Sequence, residues 1–360
     1  MKVTMKYNTI LLLFFAIVLL GACKKKEIED PSTNSSPIFT ATGNLGGESF
    51  LLEAGNENVF MNTFINMSNG VKVYSGKLGN EEMEIEIGLH EGNIDLEVPF
   101  NIQNFPTSLT FAALPSQPLA FLSKDLLPNS MFIDEVRWYI DGAFSGVNDV
   151  EIIEPGKYNV CAEVEFNDGS EATLCNEMIL GFAVNASCKM RHVLQSNGNL
   201  KVWMDAYSTP IDHILWYVDD VLVGESSNLE TNIDNENHLI SAEIFYTNGA
   251  HRKKSILVDG SLSGKLIDDF SVFENGSVSQ TKWDNSVILN VKKNGLTYSS
   301  AGADNSESSI QMISLSYYGK NSAGKDVYKC VASVSVNVRE GQSGAILPLD
   351  FTTTFGLEMH

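Results

Sequence analysis

The chain has 360 residues, with 45 Asp and Glu against 24 Lys and Arg, for a formal net charge of -21. That length admits two to four domains, and so acidic a surface repels nucleic acid and anionic membrane, which argues against nucleic-acid partners. Charged residues make up only 19%, below the usual quarter or so; with 28 glycines and short apolar runs, the composition points to β-rich extracellular domains rather than long solvated helices.

The N-terminus reads as a leader. Lys2 and Lys6 form a basic start, and Ile10 to Leu20 is one apolar run, too short to span a bilayer comfortably. Leu20-Gly21-Ala22-Cys23 follows. Small residues before a cysteine resemble the lipobox of bacterial lipoproteins. The resemblance implies a signal peptide over 1–22, cleavage before Cys23, and acylation of that residue. Several acyl chains anchor stably where one does not. It also implies an outer-membrane lipoprotein, because Lys24 rather than an aspartate follows the cysteine; the body then faces the periplasm or the cell surface. The charged and polar stretch up to Pro37 reads as a tether, 23–37.

From Ile38 to about Pro115 a first β domain is expected (38–115). Met83, Ile85, Ile87 and Leu89 interleave with Glu84, Glu86 and Gly88, the period-two pattern of a half-buried strand. Ser68-Asn69-Gly70 is a hairpin signal. Two G-x-L-G-x-E stretches, from Gly43 and from Gly76, lack the Lys-Ser/Thr ending of a phosphate loop and read as turns. Leu119 to Leu127 fits either a short helix or a strand.

A repeat follows. Trp138-Tyr139-Ile140-Asp141 returns as Trp216-Tyr217-Val218-Asp219, and Glu163 to Gly169 returns as Glu243 to Gly249. In the first copy Tyr158, Val160, Ala162, Val164 and Phe166 alternate with Asn159, Cys161, Glu163 and Glu165, so one set faces a core and the other water. The motif Pro155-Gly156-Lys157-Tyr158-Asn159-Val160, the Val164 that follows and the Asp168-Gly169 hairpin resemble the polycystic-kidney-disease (PKD) type of immunoglobulin-like domain. This resemblance implies two PKD-like β-sandwiches, at 116–182 and 186–262, and says almost nothing about a ligand. The chain departs from the family at Trp138-Tyr139-Ile140-Asp141-Gly142, where W-D-F-G-D-G is common. A C-terminal β domain is expected over 263–360, with strands around Val287–Val291, Ser309–Leu315 and Cys330–Val336. The expected fold class is thus all-β, with tandem β-sandwich modules after a lipoprotein signal peptide.

Besides Cys23 there are four cysteines. A three-residue loop at 167–169 pairs Phe166 with Ser170, and counting outward pairs Cys161 with Cys175 at disulfide distance. Eighty residues on, the same positions are Ser241 and Ser255; both partners change together, as a bonded pair should. Cys188 and Cys330 are left to pair by elimination.

No residue set reads as catalytic. The six histidines make no metal-binding spacing and no G-x-S-x-G occurs, so no cofactor and no metal are expected. Asp219-Asp220 reads as turn chemistry over calcium ligation. Trp138 and Trp216 read as core, whereas Trp203 and Trp283 are the better candidates for exposed platforms. The basic run His251-Arg252-Lys253-Lys254 reads as a solvated hairpin end and as the candidate contact for an acidic partner. The expected role is binding or scaffolding by a non-enzymatic envelope protein: adhesion, glycan capture, or partnership with an envelope protein. Membrane attachment is through the N-terminal lipid. The alternatives are a glycan-binding accessory lipoprotein of a polysaccharide-uptake system, and a hydrolase with a loop-assembled site.

Overall fold

In the computed structural model the described residues are 36–91, 109–112, 118–182, 184, 186–260, 266–268, 270, 285–341 and 343–359. The leader, Cys23, most of the tether and Trp283 lie outside them. The described chain is built almost entirely of strands and is all-β, with tandem sandwich modules in its middle.

The first strands are β1 (Thr40–Leu45), β2 (Glu48–Glu53), β3 (Phe60–Ser68), β4 (Val71–Gly79), β5 (Met83–His90) and the two-residue β6 (Thr110–Phe111). In β5 the alternating Met83, Ile85, Ile87 and Leu89 are all buried. Asn69 and Gly70 take left-handed φ values of 47° and 72° and turn the β3–β4 hairpin, as the Asn-Gly pair favours. The second G-x-L-G stretch is not a turn: Gly76 to Gly79 lies in β4. A Cβ at Gly76 would come 2.1 Å from the carbonyl oxygen of Gly356, so only glycine lets that late strand cross here.

Module one comprises β7 (Ala120–Ser123), β8 (Ile133–Ile140), β9 (Ala143–Val147), β10 (Asp149–Ile152), β11 (Gly156–Phe166) and β12 (Glu171–Leu180). The ambiguous Leu119 to Leu127 segment is a strand followed by a 3-10 turn at Lys124–Leu126. Sheet order is β12-β11-β8-β9, faced by the β10-β7 pair. Module two comprises β13 (Cys188–Leu194), β14 (Asn199–Ala206), β15 (Ile211–Val218), β16 (Val221–Glu225), β17 (Asn228–Asn232), β18 (Asn237–Tyr246) and β19 (His251–Asp259). Its sheets run β16-β15-β18-β19 and β13-β14-β17.

The last strands are β20 (Ser286–Lys293), β21 (Leu296–Ser299), β22 (Ser309–Lys320), β23 (Asp326–Glu340) and β24 (Ile346–Met359). Here the structure corrects the expected division. The strands assigned to separate domains at 38–115 and 263–360 share one eleven-stranded sheet, ordered β2-β1-β24-β23-β21-β20-β5-β4-β3, with β22 and β6 attached to β23 and β20. β24 lies between β1 and β23, with Thr40 opposite Thr354. One core runs through both halves, from Phe39, Met61 and Tyr74 to Val334, Phe351 and Leu357. The physical reason is that β1–β5 alone leave β1 and β5 with unpaired edges and one bare apolar face, which β24 and β20 cover.

The two modules are thus inserted into this composite domain, and they are fastened to it and to each other. The β3–β4 hairpin tip docks on module one: Asn69 Nδ2 donates to Glu154 Oε2 at 2.8 Å, and its carbonyl accepts from Lys157 N at 2.8 Å. Val71, Ala112, Ile179 and Phe182 form a small apolar cluster at this junction. Edge strands β12 and β19 meet between the modules. The Asn176 side chain, fully buried, accepts from Ser255 N at 2.7 Å and donates to Ser255 O at 3.2 Å. One amide side chain of β12 thus satisfies both backbone groups of Ser255 on the β19 edge. After β19 the chain returns to module one: Ile267 bridges Leu257, and Phe270 enters the module-one core edge-on to Trp138, ring centroids 5.4 Å apart.

Candidate binding surfaces of the two modules

The repeat is preserved atom for atom in its structural roles. Trp138 and Trp216 are fully buried. Each indole N–H donates to a backbone carbonyl ten residues on, Asn148 O and Ser226 O, both at 3.0 Å. Each strand has a bulge just past its tryptophan. Asp141 and Asp219 sit in the following turns at φ 50°, and their carboxylates accept from Asn159 N at 2.8 Å and Leu239 N at 2.9 Å. These aspartates cap the neighbouring strand, which fixes the turn reading of Asp219-Asp220. Among the described residues no group of three or more His, Cys, Asp or Glu could hold a metal ion.

Cys161 and Cys175 lie opposite each other in register and are joined, with Cα atoms 4.0 Å apart. In module two Ser241 and Ser255 occupy the same register, and their hydroxyls lie 2.9 Å apart. The repeat thus keeps one cross-strand link in two chemistries. Cys188 and Cys330 do not pair with each other. Each is a buried thiol in a different core, and burial pushes the Cys330 thiol up to about 12, so it is inert.

The solvent faces diverge. The end row of module one is Glu135, Glu165 and Glu171, directly opposed across three strands. Arg137 sits beside it, 3.0 Å from Glu163, 3.9 Å from Glu135 and 3.8 Å from Glu171. Attraction from Glu163 first, and from the other two carboxylates, raises its guanidinium above the ordinary value. Tyr139 donates to Glu163 Oε2 at 3.1 Å and packs edge-on against the exposed Phe144. In module two the same row is His213, Phe245 and His251. His213 stacks on Phe245 with centroids 4.4 Å apart, and His251 packs tilted against the same ring at 4.6 Å.

The basic run departs from expectation. Arg252 and Lys254 are only 5% and 7% exposed, because they point inward on β19 where module two meets module one. Arg252 lies 3.5 Å from Glu177, which also pairs with Lys157 at 3.3 Å. Lys253 alone is exposed, and it pairs with Glu243 at 2.6 Å. The acidic partner of Arg252 is therefore the neighbouring module, and the run is not a solvated tip.

A clamp that the sequence reading missed closes the other end of module two. His238 Nδ1 lies 2.7 Å from Asp219 and its Nε2 2.9 Å from Asp234. Burial opposes charging of the imidazole, but hydrogen bonds to the two carboxylates outweigh it and raise His238 above its ordinary value. The i,i+4 spacing of Asp234 and His238 was the available signal. Trp203 is half-buried, with its N–H 3.2 Å from Asp205 Oδ1.

No family model matches this chain, and no curated protein does. Among solved structures, the fibronectin(III)-like modules of Clostridium thermocellum CbhA align at 14% identity over 41% of this chain and 90% of theirs, with a TM-score of 0.18. The central fibronectin-III array of RIM-binding protein aligns at 10% identity over 68% of this chain and 97% of its own, TM-score 0.16. A quinonprotein alcohol dehydrogenase-like protein of Bacteroides thetaiotaomicron aligns at 10% identity over 73% and 99%, TM-score 0.14. At such scores the likeness carries no argument about this chain.

Proposed function

We propose that this chain is a lipid-anchored, non-catalytic envelope protein that binds or scaffolds through its β-sandwich surfaces. Cys23 carries the lipid, the residues to Pro37 form the tether, and the folded body stands off the outer membrane toward the periplasm or the cell exterior. The observation that carries this reading is the fastening between bodies: Asn176 on Ser255, Phe270 inside module one, and Asn69 on Glu154 and Lys157. Such fastening holds broad solvent-facing sheets in fixed relation. It suits presentation of a surface to a partner better than opening and closing around a substrate.

The test is metabolic labelling with a fatty acid, followed by cell fractionation. Wild-type chain should take up label and sediment with the outer membrane. Cys23→Ala should lose the label and appear in soluble fractions. A Cys23→Ala chain that still labels and sediments with membrane overturns the anchor. Protease treatment of intact and lysed cells then reports which side the body faces.

A further inference from the structure

The outer face of the composite sheet is built unlike the faces of the modules. Strands β2, β1, β24, β23 and β22 lie side by side, and their register aligns Leu51, Thr42, Thr352, Ser333 and Gln311 in one row. On one side of this row the same strands place Asn44, Ser335 and Ser309 around Asp350. On the other side they place Thr40, Thr354, the half-buried Val331 and Ser314. Paired residues of an antiparallel sheet share a face, and residues two apart share it again. Thr42, Thr352 and Gln311 are exposed and Ser333 half-buried.

These three rows contain no lysine, no arginine and no aromatic ring. Their acids are Glu53, at a corner, and Asp350, which accepts from Ser335 Oγ at 2.5 Å. Wet sheet faces usually gain from opposite-charge cross-strand pairs, and both modules here use them, as Arg137–Glu163 and Lys253–Glu243. On a chain of net charge -21, a patch five strands wide that carries hydroxyls or amides at most positions, broken by Leu51, Val331 and the two carboxylates, is a departure that solubility does not require. Hydroxyls and amides both donate and accept, and threonine is stiff at χ1, so the array is partly ordered before anything binds. With about 4.8 Å between strands the patch spans about 19 Å, and side chains recur about every 6.8 Å along each strand.

We infer that this face binds a neutral polysaccharide lying across β1, β24 and β23, with Thr42, Thr352 and Ser333 hydrogen-bonding to sugar hydroxyls. The inference deepens the binding role proposed above and rests on it. Each contact is weak in water, so affinity comes from many contacts along a polymer. Within these three rows the carboxylates of Asp350 and Glu53, with no cation among them, select against acidic polymers.

The test is native electrophoresis of the full, detergent-solubilised chain through gels containing mannan, dextran or a soluble β-glucan, with alginate as the anionic control. At least one neutral polymer should retard the wild-type chain, and alginate should not. Thr42→Val, Thr352→Val and Ser333→Ala together keep strand-forming shape but remove the hydroxyls, and should cut retardation at least fivefold. Thr42→Ser with Thr352→Ser should keep most of it. Circular dichroism of each variant confirms that the sheet persists. Retardation by none of the neutral polymers overturns the inference. So does retardation that the hydroxyl-free variant retains, which puts binding elsewhere while leaving the non-catalytic reading intact. Shortening of the polymer, read by size-exclusion chromatography, overturns the non-catalytic reading itself.

Discussion

Replacing Phe270 with alanine should open module one while sparing module two. Phe270 is fully buried among Trp138, Leu257 and Ile267, residues held by two modules and the segment that follows the second. Its surroundings are strands anchored by their own ladders, so the space cannot collapse. Deleting a buried phenyl in such a site costs about 3–5 kcal/mol, of which its edge-on contact with Trp138 supplies about 0.5–1.5 kcal/mol. A loss of about 4 kcal/mol raises the local opening equilibrium by about three decades. Hydrogen exchange read by mass spectrometry over β11 and β12 is the assay. Amides of Gly156–Phe166 should lose most of their protection, those of Asn237–Tyr246 should keep theirs, and Phe270→Leu should recover part of the difference. Protection of β11 that falls less than tenfold in Phe270→Ala would refute the view that module one depends on a residue beyond module two.

The cross-strand links give a second prediction. Ser241→Cys with Ser255→Cys should be oxidised by dissolved oxygen to an intramolecular disulfide, seen as a mass loss of two hydrogen atoms without reductant; two alkylatable thiols would show the register to be different. Conversely, Cys161→Ser with Cys175→Ser should lower the stability of module one by about 3 kcal/mol, the loop-closure value for some fifteen residues, measured by denaturant unfolding. Asn176→Ala leaves Ser255 N–H and C=O buried without their partner, which costs about 1–3 kcal/mol and should raise exchange at β12 and β19 together; exchange confined to β12 would count against a shared edge. Two histidines should pull stability in opposite directions with pH. His238 is raised, so its clamp contributes fully below the ordinary 6.5 and is lost as pH rises through the folded value. His90, buried beside Ser286, is lowered to about 4 by burial, so it holds full stability above 6.5 and loses it as pH falls from there toward 4. Unfolding midpoints of His238→Gln and His90→Gln between pH 4 and 8 separate the two, and parallel profiles would contradict both assignments.

What was legible in the sequence was local. The Trp138 and Trp216 strands, the Asn69-Gly70 turn and the opposition of Cys161 to Cys175 all follow from period, turn chemistry and counting along one hairpin. What was not legible was set by pairing across long separations. Nothing in Thr40–Leu45 specifies that its partner is β24 rather than a nearer strand, so the composite sheet reads as two domains. Arg252 and Lys254 look like a solvated tip because their burial depends on Glu177 and the rest of module one, seventy or more residues earlier. The hydroxyl rows are visible as Ser-x-Ser and Thr-Thr-Thr only after five separate strands are known to lie side by side.

The position of β24 also bears on how the chain is made. Synthesis delivers Thr40 first and its partner Thr354 more than three hundred residues later, so one edge of β1 must wait open while two whole modules pass. A ribosome that stops short of residue 346 releases a chain with β1 and β23 both open, a substrate for proteases and for aggregation. β24 therefore acts as a checkpoint: only a molecule translated past residue 346 can close the sheet that β1 started.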